Sequence, residues 1–128
     1  MRIAIIGAGN VGGALARALK GKAHPFSLGV RDPKAEAVMR LAADTGADLA
    51  EPAAAAKGAE VVILALPWNA AEGAVKGLGD LSGKIVIDCM NPLGMVDGAL
   101  ALTLGYNDSA GEVVQRWLPG AHVVKTLN

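Results

Sequence analysis

Arg2-Ile3-Ala4-Ile5-Ile6 runs directly into Gly7-Ala8-Gly9-Asn10-Val11-Gly12, and then into Gly13-Ala14-Leu15-Ala16-Arg17-Ala18-Leu19-Lys20. The order is a short apolar strand, a glycine-rich turn and an amphipathic helix, which is what a dinucleotide-binding βαβ unit requires. Glycines at this spacing are common on their own. The context is more specific, because Gly7 follows a strand signal by one residue and Gly12 opens a helical pattern. The glycines serve different ends. Gly7 permits the tight turn, Gly9 lets a pyrophosphate approach closely, and Gly12 lets the helix pack on the strand. The free N–H groups and positive end of the helix then face the phosphates.

The rest of the chain repeats this alternation. Phe26-Ser27-Leu28-Gly29-Val30 reads as a second strand, followed by Arg31-Asp32-Pro33; Asp32 as cap and Pro33 at the first helical position start a helix near Lys34. Gly46 stops that helix as a left-handed residue, and Ala47 to Ala50 is a weak third strand ahead of a short alanine-rich turn that begins at Glu51-Pro52. Glu60 to Leu66 is continuously apolar after its first residue, the signature of a parallel strand buried on both faces. Asn69 with Glu72 and Ser109 with Glu112 form capping-box patterns that open two further helices. Lys84 to Asp88 and Ala121 to Lys125 are the fifth and sixth strands, and Leu93 to Asn107 is a long segment without a clear period. Six strands alternating with helices predict an α/β doubly wound parallel sheet, a Rossmann fold, in the order 3-2-1-4-5-6. No repeat or linker divides residues 1–128, so a single domain is expected.

Composition narrows the function. With 128 residues the chain can bury roughly two-thirds of its unfolded surface. Twelve basic and twelve acidic side chains cancel, so no bulk field favours nucleic acid or an anionic membrane, and neither is expected as a partner. The single cysteine, Cys89, excludes an internal disulfide and a four-cysteine zinc site. The apolar run at the N-terminus stops at Gly7, which is not a secretory layout, and a soluble cytoplasmic protein is the expectation.

The end of the second strand meets the adenosine ribose in such folds, where a carboxylate selects NAD and an arginine accommodates the 2′-phosphate of NADP. Val30 occupies the strand-end position, Arg31 begins the loop and Lys34 lies three residues on, so NADP(H) is favoured. Both basic residues also fit a solvated surface. The nicotinamide belongs at the strand carboxyl ends near the switch point, which singles out Leu66-Pro67-Trp68 and Met90-Asn91-Pro92. Asn91 fits either a contact to the nicotinamide or a turn residue before Pro92, and Trp68 either a pocket wall or packing beneath a helix. No catalytic residue and no metal ligand set emerges, since neither His24 nor His122 has a plausible nucleophile or carboxylate partner. Hydride transfer between bound cofactors needs orientation more than proton-transfer groups.

Five segments together, Ile3 to Gly12, Leu28 to Pro33, Leu64 to Trp68, Ile87 to Leu93 and Val123 to Asn128, resemble the NADP oxidoreductases dependent on the deazaflavin coenzyme F420. Parts are shared with the similar domains of membrane ferric reductases and pyrroline-5-carboxylate reductases. The resemblance implies hydride passage between NADPH and a deazaflavin, with coenzyme F420 or a flavin as the second substrate and small-molecule redox acceptor. It implies that Gly9, Asn10 and Val11 hold the pyrophosphate, Arg31 and Lys34 the 2′-phosphate, and Leu66, Pro67 and Asn91 the nicotinamide side. It also implies a further helical portion that helps form a homodimer and covers the second cofactor; the sequence ends at Asn128, where that portion would begin. The alternatives are an NADPH-holding module without catalysis, and the nucleotide-binding half of an imine or carbonyl reductase.

Overall fold

The computed structural model describes residues 1–90, 93–96, 99–102 and 110–126. In chain order its elements are β1 (Ile3–Ile6), α1 (Asn10–Leu19), β2 (Phe26–Gly29), α2 (Glu36–Thr45), β3 (Asp48–Ala50), α3 (Pro52–Lys57) and β4 (Val61–Leu64). They continue as α4 (Trp68–Lys76), β5 (Ile85–Asp88), β6 (Leu93–Val96), β7 (Ala99–Leu102), α5 (Ala110–Trp117) and β8 (His122–Lys125). Six strands form one parallel sheet in the order β3-β2-β1-β4-β5-β8. This is the expected 3-2-1-4-5-6 arrangement, β8 being the sixth strand of the sheet.

The sheet is organised by its centre. All four residues of β1 and of β4 are buried, as their unbroken apolar sequences require. Alternation along β1 splits the core in two: Ala4 and Ile6 pack with Ala56, Val75, Val86 and Val114 on the side of α3, α4 and α5. Ile3 and Ile5 pack with Ala16, Phe26 and Leu41 on the side of α1 and α2. That division is what right-handed crossovers produce when the chain first winds toward β3 and then returns toward β8. On the α1 side Ile85 of β5 and Val124 of β8 are 45% and 52% exposed, with no described helix packed over them.

Several local expectations are corrected. The helix near Lys34 starts at Glu36, because Asp32-Pro33-Lys34-Ala35 first closes a turn, with Ala35 N–H donating to the Asp32 carbonyl at 3.1 Å. Proline at the second position of a turn favours that closure. Asp32 is therefore not a helix cap; its Oδ1 accepts from the Lys34 N–H at 3.1 Å. Asn69 does not cap α4 either, since the extended Pro67 occupies the cap position and Ala70 N–H closes on the Pro67 carbonyl. Glu72 pairs instead with Lys76, four residues on, at 2.6 Å. Within the segment that lacked a period, β6 and β7 form an antiparallel hairpin. Ser109 lies outside the described residues. Gly46 ends α2 with φ 77°, as expected.

Among the described residues, no helix is long and apolar enough to cross a membrane. Nor does any group of His, Cys, Asp and Glu side chains there stand ready to hold a metal ion.

Candidate nucleotide-binding site

A cleft of about 980 Å³ opens at the carboxyl ends of β1, β2 and β4. Its floor is the turn after β1. Gly7 takes φ 107°, and its N–H donates to the Gly29 carbonyl at 3.0 Å. A Cβ at Gly7 would stand 2.5 Å from the Ala65 carbonyl oxygen, so only glycine lets the chain turn this close to the end of β4. Gly12 lies inside α1, with the Gly7 carbonyl against the place where a Cβ would be. The fit of helix to turn predicted for it is thus a physical contact.

Gly9 is different. It precedes α1 as an extended cap without a side-chain bond, it lines the cleft, and a Cβ there would meet nothing within 4 Å. Open space beside backbone N–H groups at a helix start is what close approach of a pyrophosphate needs. Asn10 and Val11 form the exposed first turn of α1 beside it. The residues present fit a dinucleotide phosphate.

Arg31 and Asp32 line the cleft at the end of β2. Asp32 is engaged by the Lys34 backbone, whereas the Arg31 guanidinium makes no ion pair or hydrogen bond among the described residues. Lys34 is exposed next to this turn and contributes its N–H to Asp32 rather than a wall to the cleft.

Leu66 and Pro67 line the opposite side, with Asn69. The Trp68 ring stacks on Trp117 with centroids 5.6 Å apart and an interplanar angle of 21°. Both indoles are packed against the core between α4 and α5. Asn91, expected at the nicotinamide side, lies outside the described residues. The sequence reading missed two parts of the cleft. One is a face of α4 and its cap, made of Ala70, Gly73, Ala74 and Gly77, whose spacing of three and four residues was the available signal. The other is Glu51, which read as part of a helix start.

Next to the cleft, β5 ends in a buried carboxylate. Asp88 is fully buried; its Oδ1 accepts the Met90 N–H at 2.8 Å, while Oδ2 has no partner among the described residues. Burial pushes its pKa above the usual carboxylate range, against the opposing effects of the Met90 bond and of Lys125. The Lys125 ammonium reaches the Asp88 and Thr126 backbone carbonyls, each at 3.3 Å. Cys89 is buried among apolar side chains, which raises its thiol pKa and leaves it a packing residue. His24 sits at the other end of the sheet, beside the N-terminal ammonium at 3.2 Å.

Comparison with known proteins agrees with this geometry. The family model for coenzyme F420-dependent NADP oxidoreductases matches residues 2–92. A protein of Arthrobacter sp. FB24, named as a proposed F420-dependent NADP reductase, is 38% identical over the whole chain, with a TM-score of 0.92. A hypothetical protein from Sinorhizobium meliloti is 31% identical, again over the whole chain, with a TM-score of 0.84. This chain covers 62% of the length of each of those two proteins. An imine reductase from Pseudomonas sp., at 21% identity, shares the fold over 97% of this chain and 40% of its own, with a TM-score of 0.70. The match over most of the sequence, which includes the glycine turn after β1, places the chain in the coenzyme F420-dependent NADP oxidoreductase family.

Proposed function

We propose that this chain is the nucleotide-binding domain of an NADPH-dependent oxidoreductase that passes hydride to or from a deazaflavin such as coenzyme F420. One observation carries the nucleotide choice. At the end of β2 the carboxylate of Asp32 is held by the Lys34 N–H, while Arg31 lines the same cleft without a partner among the described residues. An unengaged cation beside a carboxylate already engaged through one oxygen favours a ribose that carries a 2′-phosphate. The N-terminus of α1 and the space beside Gly9 then take the pyrophosphate. When bound, the nicotinamide supplies the transferable hydride. The chain's own share is to fix both ends of the nucleotide and aim the ring along the ends of β1 and β4, past Leu66 and Pro67. The family and the Arthrobacter relative support the deazaflavin as acceptor. The cytoplasmic location and the homodimer belong to the same proposal.

A binding titration with NADPH and NADH, joined to stopped-flow absorbance with NADPH and oxidised coenzyme F420, tests it. The expected result is a marked preference for NADPH and bleaching of the deazaflavin band. NADPH binding without reduction of any acceptor would instead leave a holding module. Equal affinity for the two nucleotides would remove the role given to Arg31.

A further inference from the structure

The end of β3 carries a second charged group that faces the cleft. Glu51 is the cap residue of α3, the position where a side-chain oxygen ordinarily accepts an N–H of the first helical turn. Its carboxylate makes no such bond, and among the described residues it makes no ion pair either. It lines the same cleft as Arg31.

The fold holds it there from both sides. Gly29 pairs with Ala50 in the sheet, and the Val30 N–H donates to the Ala50 carbonyl at 3.0 Å, which brings the ends of β2 and β3 side by side. Because Gly29 has no Cβ, α3 can settle onto β2: the missing atom would stand 3.1 Å from the Pro52 Cα and 3.2 Å from the Ala55 Cβ. Pro52 at the first helical position fixes the backbone just after Glu51. Ala35, Val38, Pro52 and Ala53 line the same cleft and give it apolar surface suited to the flat face of a base.

The two side chains make opposite demands. Arg31 only donates hydrogen bonds and Glu51 only accepts them. They share a cleft without pairing with each other, so one ligand that serves both offers an anion and, elsewhere in the same cleft, a hydrogen-bond donor. The adenosine end of NADPH does this, with its 2′-phosphate and the exocyclic amine of adenine. A 6-oxo purine carries a carbonyl oxygen in place of that amine and would set acceptor against acceptor. We propose that Glu51 accepts a hydrogen bond from the adenine amine, and so makes the chain selective for adenine over hypoxanthine dinucleotides. The role rests on the nucleotide reading above, but not on the choice between NADPH and NADH, since the base is common to both.

The test is a fluorescence titration of the wild-type chain, Glu51→Ala and Glu51→Gln with four probes: NADPH, NADH and the deamino (hypoxanthine) form of each. The wild type should favour the adenine form of each pair by roughly tenfold, the size expected for one exposed charge-assisted hydrogen bond. Glu51→Ala should weaken the adenine forms to the level of the deamino forms. Glu51→Gln should bind both bases similarly, because an amide can accept from the amine or donate to the carbonyl. Equal wild-type affinity within both pairs would overturn the proposal. So would a parallel change of adenine and deamino forms in Glu51→Ala, which is the mark of a bulk charge acting on the phosphates. Base selectivity without any preference for NADPH would overturn the role of Arg31 and leave Glu51 standing. Binding of none of the four would end both. Thermal melts of the variants check folding, and Glu51 is exposed enough to be replaced without loss of core.

Discussion

The backbone carbonyl of Gly7 occupies the space that a side chain at Gly12 would need. The turn after β1 and the first turn of α1 are therefore a single packed unit. Gly12→Ala must push the helix off the strand, at an expected cost of about 2–3 kcal/mol in stability, and NADPH binding should fall with it. Gly9→Ala is the contrast. Its Cβ has no atom within 4 Å to meet, so stability should fall only by the difference between Gly and Ala as a helix cap, about 0.5–1 kcal/mol, while NADPH affinity falls at least tenfold. Urea denaturation alongside titration separates the two effects; a Gly9→Ala variant that still binds normally would remove the pyrophosphate from this turn.

Arg31→Ala should weaken NADPH by roughly 10- to 100-fold, the worth of one charge-assisted bond to phosphate. NADH should change by less than about threefold. Lys34→Ala should have the smaller effect, because that side chain stands outside the cleft lining. Both are read from Kd values at fixed ionic strength, and loss of the NADPH-to-NADH difference in Lys34→Ala alone would exchange their roles.

Asp88 predicts a pH dependence. Its folded pKa lies above the ordinary value of 3.8 because burial disfavours the charge. The stability it contributes is complete below the unfolded pKa and is lost as pH rises through the folded one. Asp88→Asn keeps an oxygen for the Met90 N–H and removes the ionisation. The wild-type minus variant difference in Tm should therefore grow in favour of the variant as pH rises from about 4 to 8. Taking the difference cancels Asp80, whose carboxyl is held low by Ser82 and changes stability in the opposite sense. A flat difference would show that Asp88 ionises without cost.

Lys84 ties the end of α3 to the start of β5. Its ammonium donates to the Lys57 carbonyl at 3.2 Å and to that of Ala59, both at or just past the helix end, where carbonyls lack partners and cations are favoured. Lys84→Met should cost about 1–2 kcal/mol in urea melts and leave nucleotide affinity unchanged. A stable variant with altered binding would contradict that separation.

The strand order was legible because β1 and β4 are buried on both faces and had to be written as apolar runs. The β6–β7 hairpin was not, since Gly94 and Gly98 interrupt residues that are apolar on successive positions and so carry no period of two. Helix starts misled where a turn competed: Asp32-Pro33 has the letters of a cap and a first helical residue, yet it closes its own turn one step earlier. At the site, Arg31 could be placed because strand end and loop begin in adjacent residues. Glu51 could not, because its position across from Arg31 depends on the pairing of β2 with β3, a contact between segments distant in sequence. Trp68 had two fair readings, and its stacking on Trp117 of α5, distant in sequence, was not visible in either.

The central place of β1 bears on the order in which a ribosome can complete this protein. Ile3 to Ile6 are synthesised nearly sixty residues before their second neighbour, Val61 to Leu64. The phosphate turn waits as well, because Ala65 is the residue that closes against Gly7 and donates its N–H to the Ile6 carbonyl at 2.9 Å. A nascent chain that lacks β4 has a glycine-rich segment with nothing to shape it, and an apolar strand with an open edge that invites misplaced pairing. The turn after β1 is thus translated well before it can acquire its working form.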